Sequence, residues 1–321
     1  MGVIYIAATL ISIIALKELS SVLIYLILSI FLTILLYPLV NFFEKRGFPT
    51  IIGYLFSAVL VASLFFVVFS IFNNSLKEFL NNATFYQEKI IDTIKQANIY
   101  LEKYNFKIDL SLFSNIDFIG IIKTFFTKIG GLFTSFLIVF IGVSFMIFES
   151  KNFGNKIKTI SNSSSYEIFF KNIQKYFIIK TFTSILTGVL VTIMLLFFDI
   201  PYPFLFGILA FLFNYIPVIG SIIAAIPAVF ITFVTYGLEI FAYITIGYVV
   251  INNVISNVLE PKLMGDGLDL SPAVVFFSLL LWGWVFGAVG MFLAAPLTMV
   301  LKLALLSNKK TKFLGVLLSK K

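Results

Sequence analysis

Asn253, Asn257 and Glu260 stand at i, i+4 and i+7 along an apolar stretch that runs over 240–258 and into the residues just after it. On a helix those spacings share one face, and Asn252 and Ser256 widen the stripe. Carboxamides and a carboxylate are costly at membrane depth, so they face a bundle interior or a water-filled cavity. There they can hold a polar solute or a cation. Burial disfavours the charged form of a carboxylate, so Glu260 is the group on this stripe expected to bind a proton or cation and to set a pH dependence. The plain alternative is hydrogen bonding between helices, with Glu260, followed by Pro261, anchored at an interface.

Asn214 is the next polar candidate. It opens a break, Tyr215–Ser221, inside residues 203–236, which carry no formal charge. An unbroken helix of that length would reach roughly 50 Å, against a hydrocarbon core of about 30 Å. Pro217 lacks an amide proton and crowds the preceding turn, and Gly220 follows, so two short helices are expected. Irregular backbone at membrane depth survives only where protein or water satisfies it, and transporters place ligand sites at such breaks. Thr183, Ser184 and Thr187 on the helix before the break could coordinate an ion, although hydroxyls there also serve packing.

A second copy lies 70 residues downstream. Residues 199–230 and 269–300 align without a gap, with Asp199 on Asp269, Gly220 on Gly290, and Ala224-Ala225 on Ala294-Ala295. The second copy breaks over Gly283–Gly290, using glycine where the first uses proline. Each follows a hydrophobic helix, 177–198 or 240–258. Asp199 and Asp269 open the two broken segments and are expected to cap half-helices, where a carboxylate suits the positive end, or to bind an ion. Trp282 and Trp284 are expected to pack or anchor, or to gate. Each broken segment either dips in and returns, which makes the units inverted repeats, or crosses once. Arms of about 11–16 residues, half a bilayer long, favour re-entrant hairpins.

The chain is 60% hydrophobic and 12% charged, half the charge usual in soluble domains. It reads as an all-α polytopic membrane protein with about 7–8 transmembrane segments, two of them broken or re-entrant, and an amphipathic helical insertion outside the membrane. There is no Cys and no His. That removes disulfides, thiolate nucleophiles, the usual proton shuttle and the commonest metal ligand. No enzyme activity, cofactor or metal is expected. The net charge of +8 is spread over loops and the C-terminal tail, as in cytoplasmic loops, and no nucleic acid partner is expected.

The expected organisation is a three-helix membrane region over 1–72, an extramembrane segment over 73–128, a fourth span with a basic loop over 129–175, a duplicated core over 176–306 and a basic tail over 307–321. The core repeats are about 177–236 and 240–305. In 73–104 the residues Leu76, Leu80, Ala83, Ile90, Ile94, Ala97, Leu101 and Tyr104 step by three and four, with Gln87 the polar exception. That seam packs against the membrane surface, the chain's own core or a second subunit. Ser114 and Asp117 have the spacing of a capping box. Residues 149–180 hold six Lys against two Glu, and the tail adds five more Lys. Placing both inside puts both termini in the cytoplasm and 73–128, Asp199 and Glu239 outside.

Over NYIPVIGSIIAAIPAVF, over NVLEPKLMGDGLDLSPAVVFFSLLLWGWVFGAVGMFLAAPL, and over YPLVNFFEKRG near the N-terminus, the sequence resembles the autoinducer-2 exporter family, also described as a permease family. The resemblance spans nearly the whole chain and is strongest over 199–305. It implies a bacterial inner-membrane homo-oligomer that exports the furanone signal autoinducer-2 or exchanges sodium for protons. Residues 265–272 read GDGLDLSP, without the basic residue and the histidine usual in that family, so no role is carried over to those positions. The reading is a secondary transporter exporting a small polar solute, autoinducer-2 among the candidates. Cation/proton antiport and a non-transporting scaffold are the alternatives. Its partners are the solute or ion, the bilayer and further copies of the chain.

Overall fold

The computed structural model describes residues 11–102, 118–134, 136–160, 163–217, 219–264 and 270–319. Asp269 and the Ser114–Asp117 capping box lie outside them. All regular structure among the described residues is helical. Among the described residues, six helical stretches are long and apolar enough to cross a membrane: 20–44, 50–81, 123–149, 171–197, 219–264 and 272–292; 203–213 and 294–307 are apolar but shorter. The protein is a multi-pass membrane protein.

Helices α1 (Ser20–Glu44), α2 (Thr50–Asn81) and α5 (Phe136–Ile160) form one side of the molecule. Leu36 and Val40 of α1 pack against Val139, Val143 and Ile147 of α5. At 32 residues α2 is about 48 Å long and outruns a core of about 30 Å, so its end stands clear of the apolar layer. That end, with α3 (Ala83–Glu102) and α4 (Phe118–Thr134), covers the first broken segment through Phe72, Phe79, Tyr86 and Phe126. The seam of the insertion is therefore occupied by the chain's own core as far as Ile90. Tyr86, rather than its neighbour Gln87, completes it: Tyr86 is buried and Gln87 exposed. The Tyr86 hydroxyl donates to Tyr202 at 3.2 Å, and the Asn82 carboxamide donates to the same oxygen at 2.9 Å. Burial, and then the contact with Tyr202, push the Tyr86 phenol well above its ordinary range.

The basic stretch 149–180 is helical over most of its length and not a loop. Helix α5 runs to Ile160, and α6 (Ser163–Phe197) begins three residues later. After α6 come α7 (Pro203–Phe213), the break, and α8 (Ile219–Asn253). Helix α8 is itself two helices, 219–236 and 238–253, divided at Gly237, whose φ of +79° and ψ of −171° suit glycine alone. The Tyr236 hydroxyl donates to the Asp199 carbonyl at 2.7 Å. The two ends of the first broken segment thus lie together, and α7 and residues 219–236 are the arms of a hairpin.

The second copy repeats the arrangement. Helix α10 (Pro272–Phe292) is interrupted at Gly287, with φ +63°, and runs into α11 (Ala294–Ser307). Trp282 on one arm donates its indole N–H to the Thr298 hydroxyl on the other at 3.0 Å, so Trp282 fastens the hairpin. Gly220 and Gly290, matched in the sequence alignment, do the same work. A Cβ on Gly220 would collide with the Phe213 carbonyl oxygen, and one on Gly290 with the Trp282 carbonyl oxygen. Only glycine lets these backbones approach so closely at the turn.

Asp199 does not cap a half-helix as expected. Helix α7 starts after Tyr202 with no side-chain cap, and Asp199 sits in the preceding turn with φ +52°. In the second copy Ser271 is the cap, accepting from the Val274 amide at 3.2 Å. Trp284 is half-exposed, with the Lys17 ammonium 3.9 Å above its ring.

Candidate functional site

The tips of the two hairpins meet. Ile216 of the first packs with Leu279 and Ala294 of the second in one buried cluster. The Tyr215 ring stacks on Phe292 with centroids 4.3 Å apart. Tyr215 also donates to Thr181 of α6 at 2.8 Å, and the buried Asn214 carboxamide donates to Ser184 of α6 at 3.0 Å. The first break is therefore tied to α6 through its side chains, while its backbone amides bond to nearby carbonyls, Asn214 to Ala210 at 3.0 Å and Ile216 to Phe213 at 2.9 Å, as a break at membrane depth requires.

Beside the tips lies a cavity of about 630 Å³. Its wall includes Asn214, Pro217 and Ser221 from the first hairpin, Ala295 from the second, and Tyr176 and Lys180 from α6. The opposite wall is the polar stripe, with Thr245, Asn252, Asn253, Ser256, Asn257 and Glu260 all bordering the space. Apolar faces from Ile222, Ile226, Val229 and Val249 complete it. Asn214 is buried and Asn252 half-buried, while Asn253 and Asn257 are exposed at the open side.

The stripe rides on an unusual stretch of backbone. Residues Val254–Leu259 form a π-helix between α8 and α9 (Glu260–Met264), and the Glu260 amide bonds back five residues to the Ile255 carbonyl. Pro261 accounts for this. It cannot donate to the Asn257 carbonyl, and its ring pushes that carbonyl away, widening the preceding turn. Asn257 donates to the Asn253 side-chain oxygen at 2.8 Å, and Asn253 donates to the Val249 carbonyl at 2.8 Å. The two carboxamides thus form a short ordered ladder along the wall.

Glu260 is not a solitary carboxylate. The Lys180 ammonium donates to both of its oxygens at 2.9 Å, and the two side chains are 5% and 14% exposed. The pair joins α6 to the end of the stripe, one turn from a second tie in which Lys175 donates to the Met264 carbonyl at 2.8 Å. Lys180 escapes a reading by charge count, because it falls at the end of a lysine-rich stretch. The one signal for it is its spacing, three, four and seven residues before Thr183, Ser184 and Thr187 on the same helical face.

The structure thus brings Asn214, Pro217, Asn253, Asn257 and Glu260 around one space. Gly220, Gly283 and Gly290 do not border it; they serve the hairpin turns, with Gly283 against Met291. Asp199 lies at the base of the first hairpin, away from the cavity. Among the described residues no group of three potential metal ligands comes together.

Residues 3–309 match the AI-2E family transporter profile. A Haemophilus influenzae protein named "Putative transport protein" is 33% identical over 95% of this chain and 92% of its own length. The Escherichia coli AI-2 transport protein TqsA is 29% identical over 94% and 90%. A Borreliella burgdorferi "Putative transport protein" is 31% identical over 86% and 79%. Paired hairpins meeting at a polar cavity, in a chain matched to that profile over residues 3–309, make this protein a member of the AI-2E transporter family.

Proposed function

We propose that the cavity is the solute site of a secondary transporter that exports a small, uncharged, polar molecule across the bacterial inner membrane. The observation that carries this is the junction of the two hairpins beside a wall of asparagines. It is the arrangement in which interrupted segments of inverted repeats hold substrate near the bilayer midplane. Glu260 is the one carboxylate bordering the cavity among the described residues, and Lys180 already neutralises it. That supports a neutral solute over a free cation. Carboxamides, with donor and acceptor on one group, suit hydroxyl-rich ligands, and the apolar faces suit a compact ring. Autoinducer-2, named in the E. coli relative, is the first candidate. The cytoplasmic placement of both termini rests on the lysine distribution, and assembly as a homo-oligomer on the likeness to the family.

The test is flux in proteoliposomes holding the purified chain, over a panel of hydroxylated solutes, with a pH-gradient dye recording any response to sodium. Asn253→Ala and Asn257→Ala should each weaken apparent solute affinity by roughly 2- to 10-fold, the worth of one hydrogen bond. Sodium-driven proton movement abolished by Glu260→Gln would replace this reading with antiport. A wild-type chain that moves nothing on the panel would favour a scaffold.

A further inference from the structure

The chain's last helix does not belong to the hairpins and has no role in the cavity. Helix α12 (Lys312–Leu317) folds back on α11, with Gly315 buried against Leu306. At about 100° per residue, Phe313 and Leu317 point away from that contact, and they are 63% and 69% exposed. Lys309, Lys310 and Lys312 precede or open the helix and are exposed. No Asp or Glu occurs anywhere in 270–321, while Lys320 and Lys321 follow α12. Leu314 and Val316 are exposed as well, and exposed apolar side chains within a purely basic segment, at the foot of an apolar arm, match a bilayer surface bearing negative charge. The segment is also tied to the transport core. The Ser271 amide donates to the Leu318 carbonyl at 3.2 Å, and Ser271 is the cap of α10.

We propose that residues 308–319 are a binding surface for anionic lipid, seating Phe313 and Leu317 among the headgroups and so pinning the base of the second hairpin to the membrane. Each lysine near a charged surface contributes roughly a fivefold change in partition. Three lysines therefore make the contact strongly dependent on lipid charge and on salt. This holds whatever the solute.

The experiment uses the full-length chain with Leu317→Cys, the single cysteine in a sequence that has none. The cysteine carries an environment-sensitive fluorophore, and the protein sits in nanodiscs of phosphatidylcholine alone or with about one-third phosphatidylglycerol. Nitroxides near the headgroups should quench the fluorophore strongly in the anionic discs and weakly in the neutral ones. Lys309→Gln/Lys310→Gln/Lys312→Gln should remove most of that difference, and hydrogen exchange at the Ser271 amide should slow only where quenching occurs. Equal quenching in both discs would overturn the role of charge. A fluorophore untouched by nitroxide lipid but shielded from aqueous iodide would overturn the proposal in favour of a protein partner. Strong quenching with unchanged Ser271 exchange would overturn the pinning.

Discussion

Glu260→Gln tests the ion pair that closes one end of the cavity. The substitution keeps the shape of the side chain and removes its charge, leaving the Lys180 ammonium 5% exposed with only an amide oxygen to meet it. Removing one partner of a buried pair costs about 3–5 kcal/mol. Here the carboxylate end borders the cavity, where solvent screens it, so about 2–3 kcal/mol is the fitting share. Unfolding midpoints move by about 2–4 °C per kcal/mol in domains of 150–250 residues, so the purified variant should melt roughly 5–10 °C lower. Lys180→Met should cost a similar amount, since it strands the carboxylate instead. The double variant removes both charges and should recover most of the loss, giving a coupling of about 2 kcal/mol in a double-mutant cycle. Melting measured for all four proteins in one detergent decides it. Single effects that simply add, or that stay under about 1 °C, would mean the pair is a solvated contact and the argument for a neutralised cavity fails.

Gly220→Leu and Gly290→Leu should each lower flux and stability together, by at least the 1–3 kcal/mol typical of overpacking, because the colliding atoms are backbone carbonyls that have nowhere to move. Equal behaviour of the two variants, with membrane insertion intact, checks the equivalence of the hairpins; normal flux in both would reduce the turns to architecture. Pro217→Ala should lower flux alone, by allowing the helix to continue through the break. Single cysteines at Lys45, Lys156 and Lys310 should label from the cytoplasmic face and one at Lys95 from the other; labelling of Lys95 and Lys156 from one side would overturn the topology.

The duplicated core was legible because its constraints act on the backbone. Gly220 and Gly290 answer the same collision, and Pro217 and Gly287 both interrupt a helix, so the breaks appear in sequence as residue types at matched positions. The fold-back itself was favoured only by arm length; the contact between Tyr236 and Asp199 that establishes it spans 37 residues and leaves no local pattern. The capping role of Asp199 failed for a related reason. A carboxylate in front of a helix is a frequent cap, but the chain turns once more between Asp199 and Pro203, and the left-handed Tyr202 takes the first position instead.

The candidate site divides along the same line. Asn253, Asn257 and Glu260 are polar residues at helical spacing in an apolar run, and the cost of burying them makes such a stripe visible from one strand of sequence. Lys180 is the complement of that stripe and was hidden, because a helix that leaves the membrane carries its lysines without a change in periodicity. A buried cation 80 residues from its carboxylate has no signature of its own. It could be found only by asking what neutralises Glu260, since a carboxylate at that depth is held by a cation, a proton or a solute. That question also orders the alternatives for function. With Lys180 in place the cavity is electrically balanced before any solute arrives, and a cation entering it would have to compete with a fixed ammonium for the same two oxygens. On the proposed reading a neutral hydroxylated solute would meet no such competitor, and would exchange hydrogen bonds with the asparagine ladder while the ion pair stayed closed behind it.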